Sequence, residues 1–520
     1  MIPAPVSSTA GSGRLDLTGL PPSADPHPGL AAVAHWFREV LPPGHGGVRL
    51  GIDTSIAEEG YRLIVDAAGV RVTGGSAGGV FYGLQTMRQL LPPRALRRAG
   101  ILDEPLTLPH IDISDEPRFA WRGVLLDVAR HFLPVADVLR FVDLMAFHKL
   151  NVLQLHLTDD QGWRFEVPGW PRLTSVGAWR ARSMLGSSAH NRYDDRPHGG
   201  YYSVDDLREI VAYARDRHVT VVPEVDLPGH MQAAIAAYPE LGNGATPAVR
   251  TGWGISPHLL NVSETAQRFG REVLDQICAI FPSPVIGIGG DECPPGEWAA
   301  SPAVRAFRER HGLADERAVH AWWIERMASH LRGRGRRALG WDEILDGGAP
   351  PDAMVAAWRG PEQAARAARA GHDVVSCPDT SVYLDYRQSG DPGEPTPVGT
   401  VLTVGDVYAF EPVPPGLTPA EEARVVGAQA NLWTEHMESA RRIDYMAFPR
   451  LCAFAEAVWH KGDDFAARLA EHLPRLDALG VNYRPPTGPR PWDARPDAPG
   501  RPRSRADRDA ELTRMIADLP

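Results

Sequence analysis

Two carboxylates stand side by side at Asp291-Glu292, directly after Gly289-Gly290 and the apolar run Pro284-Val285-Ile286. Two acids crowded into one pocket cannot ionise equally, so one is pushed toward the protonated form while its neighbour stays charged. Such a pair sets an acid and a charged carboxylate side by side. The glycines before it let backbone or ligand approach where a side chain would block the way. An isolated Asp-Glu pair is more often a solvated loop; what decides is the company it keeps along the chain.

Similar groups close a series of apolar runs. Asp127, Arg130 and His131 follow one that opens with Trp121-Arg122, and His156-Leu157-Thr158-Asp159-Asp160-Gln161 ends a second. Glu224-Val225-Asp226-Leu227-Pro228-Gly229-His230 ends a third. Trp341-Asp342-Glu343, Trp358-Arg359, Tyr383-Leu384-Asp385 and Asn431-Leu432-Trp433-Thr434-Glu435 come later. Three tryptophans with carboxylates and an arginine between them suit a sugar ring. Indole faces pack on its C–H surface, and charged groups bond strongly to its hydroxyls. A phosphate would ask for more cations. His156, Asp159, His230 and Asp291 are ligand types for a divalent ion, but the aromatic walls favour the sugar; no metal or other cofactor is expected.

The elements that must position these groups alternate. Apolar strand-like runs occur at Trp121 to Val128, Val152 to Leu157, Val219 to Val225, Pro284 to Ile288, Ala338 to Trp341, Met354 to Trp358, Asp373 to Ser376 and Val425 to Ala430. Helical spacing falls between most of them: Pro134 to Phe147, Val204 to Arg217, Glu264 to Ile280, Val304 to Arg332, Pro361 to Ala370 and Tyr445 to Trp459. This predicts an α/β fold, a (β/α)8 TIM barrel whose strand ends converge on one face. A doubly wound open sheet would need a glycine-rich phosphate turn after the first strand, and Asp127-Val128-Ala129-Arg130 is not one. Residues 1–117 precede the barrel as a smaller α/β domain with an antiparallel sheet, built on Val48 to Ile52, Tyr61 to Val65, Gly69 to Val72 and a helix from Gly78 to Leu91. The barrel takes 118–484. A Pro/Arg-rich C-terminal tail, 485–520, is expected to be loosely attached, with a short helix at Ala506 to Ile516.

The formal net charge of −11 advertises no basic face for nucleic acid. Four scattered cysteines, Cys278, Cys293, Cys377 and Cys452, lack metal or disulfide-framework spacing and read as reduced thiols. The first residues lack the basic and apolar regions of a secretory signal, and no stretch is long and apolar enough for a membrane span. A cytoplasmic protein with no membrane or nucleic-acid partner is expected, as monomer or homodimer.

Gly289-Gly290-Asp291-Glu292, with Trp121-Arg122-Gly123, Asp159-Asp160-Gln161, Pro228-Gly229-His230 and Trp433-Thr434-Glu435, resembles family 20 of the glycoside hydrolases, the β-N-acetylhexosaminidases. The likeness extends over Arg118 to Tyr483 and, through Phe81-Tyr82-Gly83-Leu84-Gln85-Thr86, into the preceding domain. It implies an exo-acting, retaining hydrolase whose substrate supplies its own nucleophile, the 2-acetamido oxygen, through an oxazolinium intermediate. By that resemblance Glu292 is the acid/base, Asp291 orients the acetamido group and Tyr383 bonds its oxygen. Trp341, Trp358 and Trp433 would wall the sugar; Arg122, Asp385 and Glu435 would hold its hydroxyls. Asp159 and His230 would tune Glu292 from behind. The substrate would be a terminal non-reducing N-acetyl-β-D-glucosamine or galactosamine, as in chitooligosaccharides. The family usually has His where this chain has Gly287, which bears on the geometry near Asp291. A non-catalytic sugar-binding protein and a metal-dependent barrel hydrolase are the competing readings.

Overall fold

The computed structural model describes residues 1–18, 28–41, 47–99, 101 and 104–517. Its first unit is a five-stranded sheet of β1 (Ser7–Asp16), β2 (Val48–Ile52), β3 (Tyr61–Asp66), β4 (Gly69–Gly74) and β5 (Thr107–Asp115), ordered β1-β5-β3-β4-β2. Neighbours run antiparallel except β2 with β4. Helices α1 (Ala31–Val40) and α2 (Ala77–Leu90) accompany it. The Ser76 hydroxyl caps α2 by accepting from the Gly78 amide at 3.1 Å. Close packing of α2 on the sheet requires Gly83, where a Cβ would fall 2.5 Å from Val72 Cγ1.

The second unit is a closed barrel of eight parallel strands. They are β6 (Trp121–Asp127), β7 (Val152–His156), β8 (Thr220–Glu224), β9 (Val285–Gly289), β10 (Arg337–Trp341), β11 (Met354–Ala357), β12 (Val374–Ser376) and β13 (Val425–Leu432), with β13 pairing back onto β6. Nearly every residue of these strands is buried. A parallel sheet covered on both faces demands this, and it is why the strands read as continuous apolar runs. The crossover helices include α3 (Val135–Phe147), α4 (Val204–Arg215) and α5 (Glu264–Ile280), then α6 (Pro302–His311), α7 (Glu316–Gly333) and α8 (Pro361–Arg369). A one-turn helix, α9 (Asp379–Val382), follows β12; α10 (Ala440–Ala447) and α11 (Arg450–Val458) follow β13.

Two helices expected to be continuous are broken. The Val304 to Arg332 pattern splits into α6 and α7, because Gly312 takes a left-handed C-cap (φ +66°) and Asp315 caps the next helix. The Tyr445 to Trp459 pattern divides at Pro449, which has no amide hydrogen to continue a helix.

After α12 (Phe465–Ala478) the tail is not loose. It crosses the face formed by the strand C-termini: Ser187 N donates to Pro499 O and Arg503 N to Gly399 O, both at 3.0 Å, and Arg495 pairs with Glu438 at 2.7 Å. It ends in α13 (Arg505–Ala517), with Leu512 buried. Polar anchors hold this segment, so the lack of apolar periodicity misrepresents its attachment.

Candidate functional site

β9 leaves the barrel through a backbone turn that glycine alone can make. At Gly289 φ is +65° and a Cβ would lie 1.7 Å from Asp226 Oδ1; Gly290 follows at φ +91°. The Gly290 amide donates to Asp226 Oδ1 at 3.1 Å. Glu292 itself is left-handed (φ +47°), a conformation that costs a non-glycine residue roughly 1–3 kcal/mol and gathers at functional sites. The turn delivers both carboxylates to a cavity of about 200 Å³. Arg130, His156, Asp226, His230, Trp358, Tyr383, Asp385, Tyr386, Trp433, Glu435 and Arg508 are among the residues around it. Its volume is below the roughly 300–1,000 Å³ of drug-sized ligand sites.

The acids are graded by their surroundings. Burial raises Asp226 well above the usual carboxylate range, Asp291 pushing the same way, so Asp226 keeps its proton and hydrogen-bonds Asp291. Burial and the neighbouring Glu292 raise Asp291 to about 6, against the downward pull of His230 and Asp226. Burial opposes charge on His230, yet the Asp159 carboxylate, through its charge and its hydrogen bond, raises it well above the ordinary imidazole value. His230 Nδ1 donates to Asp159 Oδ1 at 3.2 Å. Its Nε2 faces Asp291 and Glu292 at 3.7 and 3.6 Å, too far for hydrogen bonds but close enough for charge to act. Behind it His156 sits between Glu224 (2.8 Å) and Asp159 (2.9 Å); despite burial, these carboxylates lift it to about 9. Asp385 Oδ1 is buried with no hydrogen-bond partner among the described residues.

The walls are aromatic. Trp358 stacks with Tyr383 at a centroid distance of 6.3 Å and 26°, and its Nε1 donates to Glu343 at 3.0 Å. Trp433 lies 6.3 Å from Tyr383 and 5.9 Å from Trp341; the latter, 1% exposed, backs the wall. Asp385 and Glu435 close the far end, both raised chiefly by burial.

Arg122 does not join them. It sits at the N-terminal end of β6, fully buried. Its guanidinium donates to Glu59 at 2.8 and 3.0 Å, to Tyr82 at 3.1 Å and to the Lys149 carbonyl at 2.9 Å. That is the opposite end of the barrel, where side chains serve stability. Arg130, just past the C-terminal end of the same strand, is the arginine of the cavity. It pairs with Asp159 at 2.8 Å and lies 4.9 Å from the Trp433 ring centroid. The strand-end rule already distinguished the two. Asp226 was legible too, in the segment after the third strand, whereas nothing in sequence placed Arg508 near the others.

Two trios in the site, Asp159–Asp160–His230 and Asp226–His230–Asp291, bring potential metal-ligand atoms within 4.8 Å of one another. Within them Asp159 already serves Arg130, His156 and His230, and Asp226 bonds the Gly290 amide and Asp291.

A closed β/α barrel with paired carboxylates, a flanking imidazolium and indole walls at its strand C-termini defines a carbohydrate-active barrel of the glycoside hydrolase class. The profile "Glycosyl hydrolase family 20, catalytic domain" matches residues 119–462, and that family's "domain 2" matches 1–116. The chain belongs to glycosyl hydrolase family 20. It is 40% identical over 459 residues to a β-hexosaminidase of Porphyromonas gingivalis; the match covers 86% of this chain and 58% of that protein. Among solved structures it is similar to an exo β-N-acetylglucosaminidase of Vibrio harveyi in complex with N-acetylglucosamine (TM-score 0.81, 31% identity, 95% of this chain and 78% of that one). It is likewise similar to a β-N-acetylhexosaminidase of Streptomyces coelicolor A3(2) (TM-score 0.80, 33% identity, 94% and 98%).

Proposed function

We propose that the protein is an exo-acting, retaining β-N-acetylhexosaminidase that removes terminal N-acetylhexosamine by substrate-assisted catalysis. The observation that carries this is the Asp291–Glu292 carboxylate pair set in one cavity with the Trp358–Tyr383 wall. The Asp291 side chain is partly open to the cavity, and its carboxylate can accept the N–H of an acetamido group lying along that wall. Asp291, ionised, turns the acetamido oxygen toward the anomeric carbon and stabilises the oxazolinium charge. Tyr383 bonds that oxygen. Glu292 protonates the departing glycosidic oxygen, then takes a proton from the water that opens the ring. At the other end Arg130, Asp385 and Glu435 hold the ring hydroxyls, and Asp385 Oδ1 accepts one of them.

The proposal is tested with aryl 2-acetamido glycosides and their 2-amino counterparts. An intramolecular nucleophile supplies about 7–11 kcal/mol of a barrier, so the deacetylated sugars should be nearly inert and the released sugar should keep its anomeric configuration by NMR. A covalent sugar trapped on Asp291 or Glu292 by a 2-fluoro glycoside would overturn substrate assistance. Glu292→Ala should cost about 10²–10⁴-fold on a disaccharide and far less on an aryl glycoside with an acidic phenol. Equal losses on both would give Glu292 another role.

A further inference from the structure

Helix α13 reaches the cavity from outside the family's catalytic profile, which ends at residue 462. It grips the one-turn helix α9 at two points. Arg505 Nη1 donates to the Thr380 carbonyl at 2.7 Å, and Arg508 Nε donates to Asp379 Oδ2 at 2.6 Å. A three-residue spacing puts both arginines on one face of the helix. Asp379 is fully buried, and its Oδ2 also accepts the Tyr386 hydroxyl at 2.8 Å. A carboxylate so placed depends on a paired cation, and Arg508 is that cation.

The backbone of Asp379 ties the two halves of the aromatic wall together. Its amide donates to the Trp358 carbonyl at 3.0 Å, and its carbonyl accepts from the Tyr383 amide at 3.3 Å. The Arg508 guanidinium also lies 5.8 Å from the Trp358 ring centroid, within cation–π range. Each of these contacts leads from Arg508 to the Trp358–Tyr383 pair.

We infer that the C-terminal segment is a working part of the active site, and that Arg508 is a positioning residue which, through Asp379, fixes the Trp358–Tyr383 wall and so sets the size of N-acyl group the enzyme accepts. This rests on reading that wall as the acetamido subsite. A firm wall holds acetyl in place and rejects longer acyl chains. A slack one loses rate on acetyl while gaining tolerance for propionyl.

The test compares Arg508→Ala, Arg508→Gln and Arg508→Lys in the full chain on aryl N-acetyl- and N-propionyl-glucosaminides. Displacements of about 1 Å around a reacting centre cost on the order of 10²-fold. Arg508→Ala should therefore lose about ten- to a hundredfold in kcat/KM on the acetyl substrate, mainly in kcat. Loss on propionyl should be smaller, narrowing the preference, and Arg508→Lys should restore part of it. Parental kinetics in Arg508→Ala would overturn the inference, as would equal losses on both substrates. Should the alanine variant fail to fold, Arg508→Gln, which keeps the length and a donor, reads the same ratio. Calorimetric binding of N-acetylglucosamine-thiazoline separates the two readings. A parent that binds it without turning substrate over would sink the hydrolase reading, while weaker binding in Arg508→Ala would still support the wall and unchanged binding would overturn it. A parent that does neither sinks both.

Discussion

Arg122 and Arg130 flank the same strand, and their fates show how position along a barrel strand divides labour. Arg130 faces the cavity beside Trp433, so Arg130→Ala should lower kcat/KM for the terminal sugar by at least about tenfold, a step of roughly 1.4 kcal/mol. Arg122→Ala leaves Glu59 without its cation at the other end, so melting temperature should fall while kcat/KM of the folded enzyme stays at the parental value. The reverse pattern would restore Arg122 to the site. Asp291 gives a second prediction. Its carboxyl is raised to about 6 by burial, with Glu292 adding to the shift. In the proposed mechanism it acts ionised, so kcat/KM should fall as pH drops through about 6, and Asp291→Asn should abolish that limb along with most activity. The sign for stability is opposite to that of an ordinary paired carboxylate. Between the unfolded value, about 4, and the folded one, the native state binds the proton more tightly, so this group's contribution declines as pH rises through that window. Asp291→Asn should thus gain on the parent in melting temperature above pH 6 (about two units above the unfolded carboxyl) and lose that gain near pH 4 (about the unfolded value); a gain independent of pH would contradict the assignment. At this scale the sequence was informative about position: it set Asp291, Glu292, Tyr383, Asp385 and Glu435 at strand ends, and all five line one cavity. It misled at Arg122, a residue of the right type at the wrong end, and was silent on Arg508, whose place at the cavity comes only from tertiary packing.

Strand β9 carries Gly287, and its surroundings explain why glycine is accommodated. A Cβ there would meet Glu224 Cβ at 2.8 Å and Cγ at 3.0 Å. Glu224 fills that space on the neighbouring strand and bonds His156 at 2.8 Å. Gly287→His should therefore be overpacked, costing about 1–3 kcal/mol of stability and disturbing the Glu224–His156–Asp159 chain behind His230. A stable and faster Gly287→His enzyme, by thermal melt and kcat/KM, would show that Glu224 yields. The eight barrel strands were legible because burial on both faces leaves an unbroken apolar signal. β1 was not: it is an edge strand of polar and glycine residues, exposed along nearly its whole length, so no alternation marks it. The broken helices show the same limit, since apolar spacing continues across Gly312 and Pro449 while the backbone does not.

Across the whole molecule, the N-terminal unit and the barrel are joined by buried charge as well as apolar contact. The first supplies acids, Glu59 and Asp115, and the second supplies cations, Arg122 and Lys149. Lys149 Nζ donates to Asp115 Oδ2 at 2.7 Å and to the Tyr61 hydroxyl at 2.8 Å, while Trp459 Nε1 donates to Asp115 Oδ1 at 2.9 Å. Both members of the Lys149–Asp115 pair are almost wholly excluded from solvent, at 1% and 0% exposure. Removing one partner of such a pair strands the other charge and costs about 3–5 kcal/mol. That is a large fraction of the roughly 5–15 kcal/mol by which native proteins are stable. Because the stranded group belongs to the barrel and the missing one to the other unit, neither can relax alone, and the two should unfold together. Asp115→Ala should lower the melting temperature sharply as one calorimetric transition, with KM of the surviving folded enzyme unchanged, since the network lies at the end of the barrel away from the cavity. A melt indistinguishable from the parent would mean that the interface is held by its apolar contacts and that the charges there are incidental.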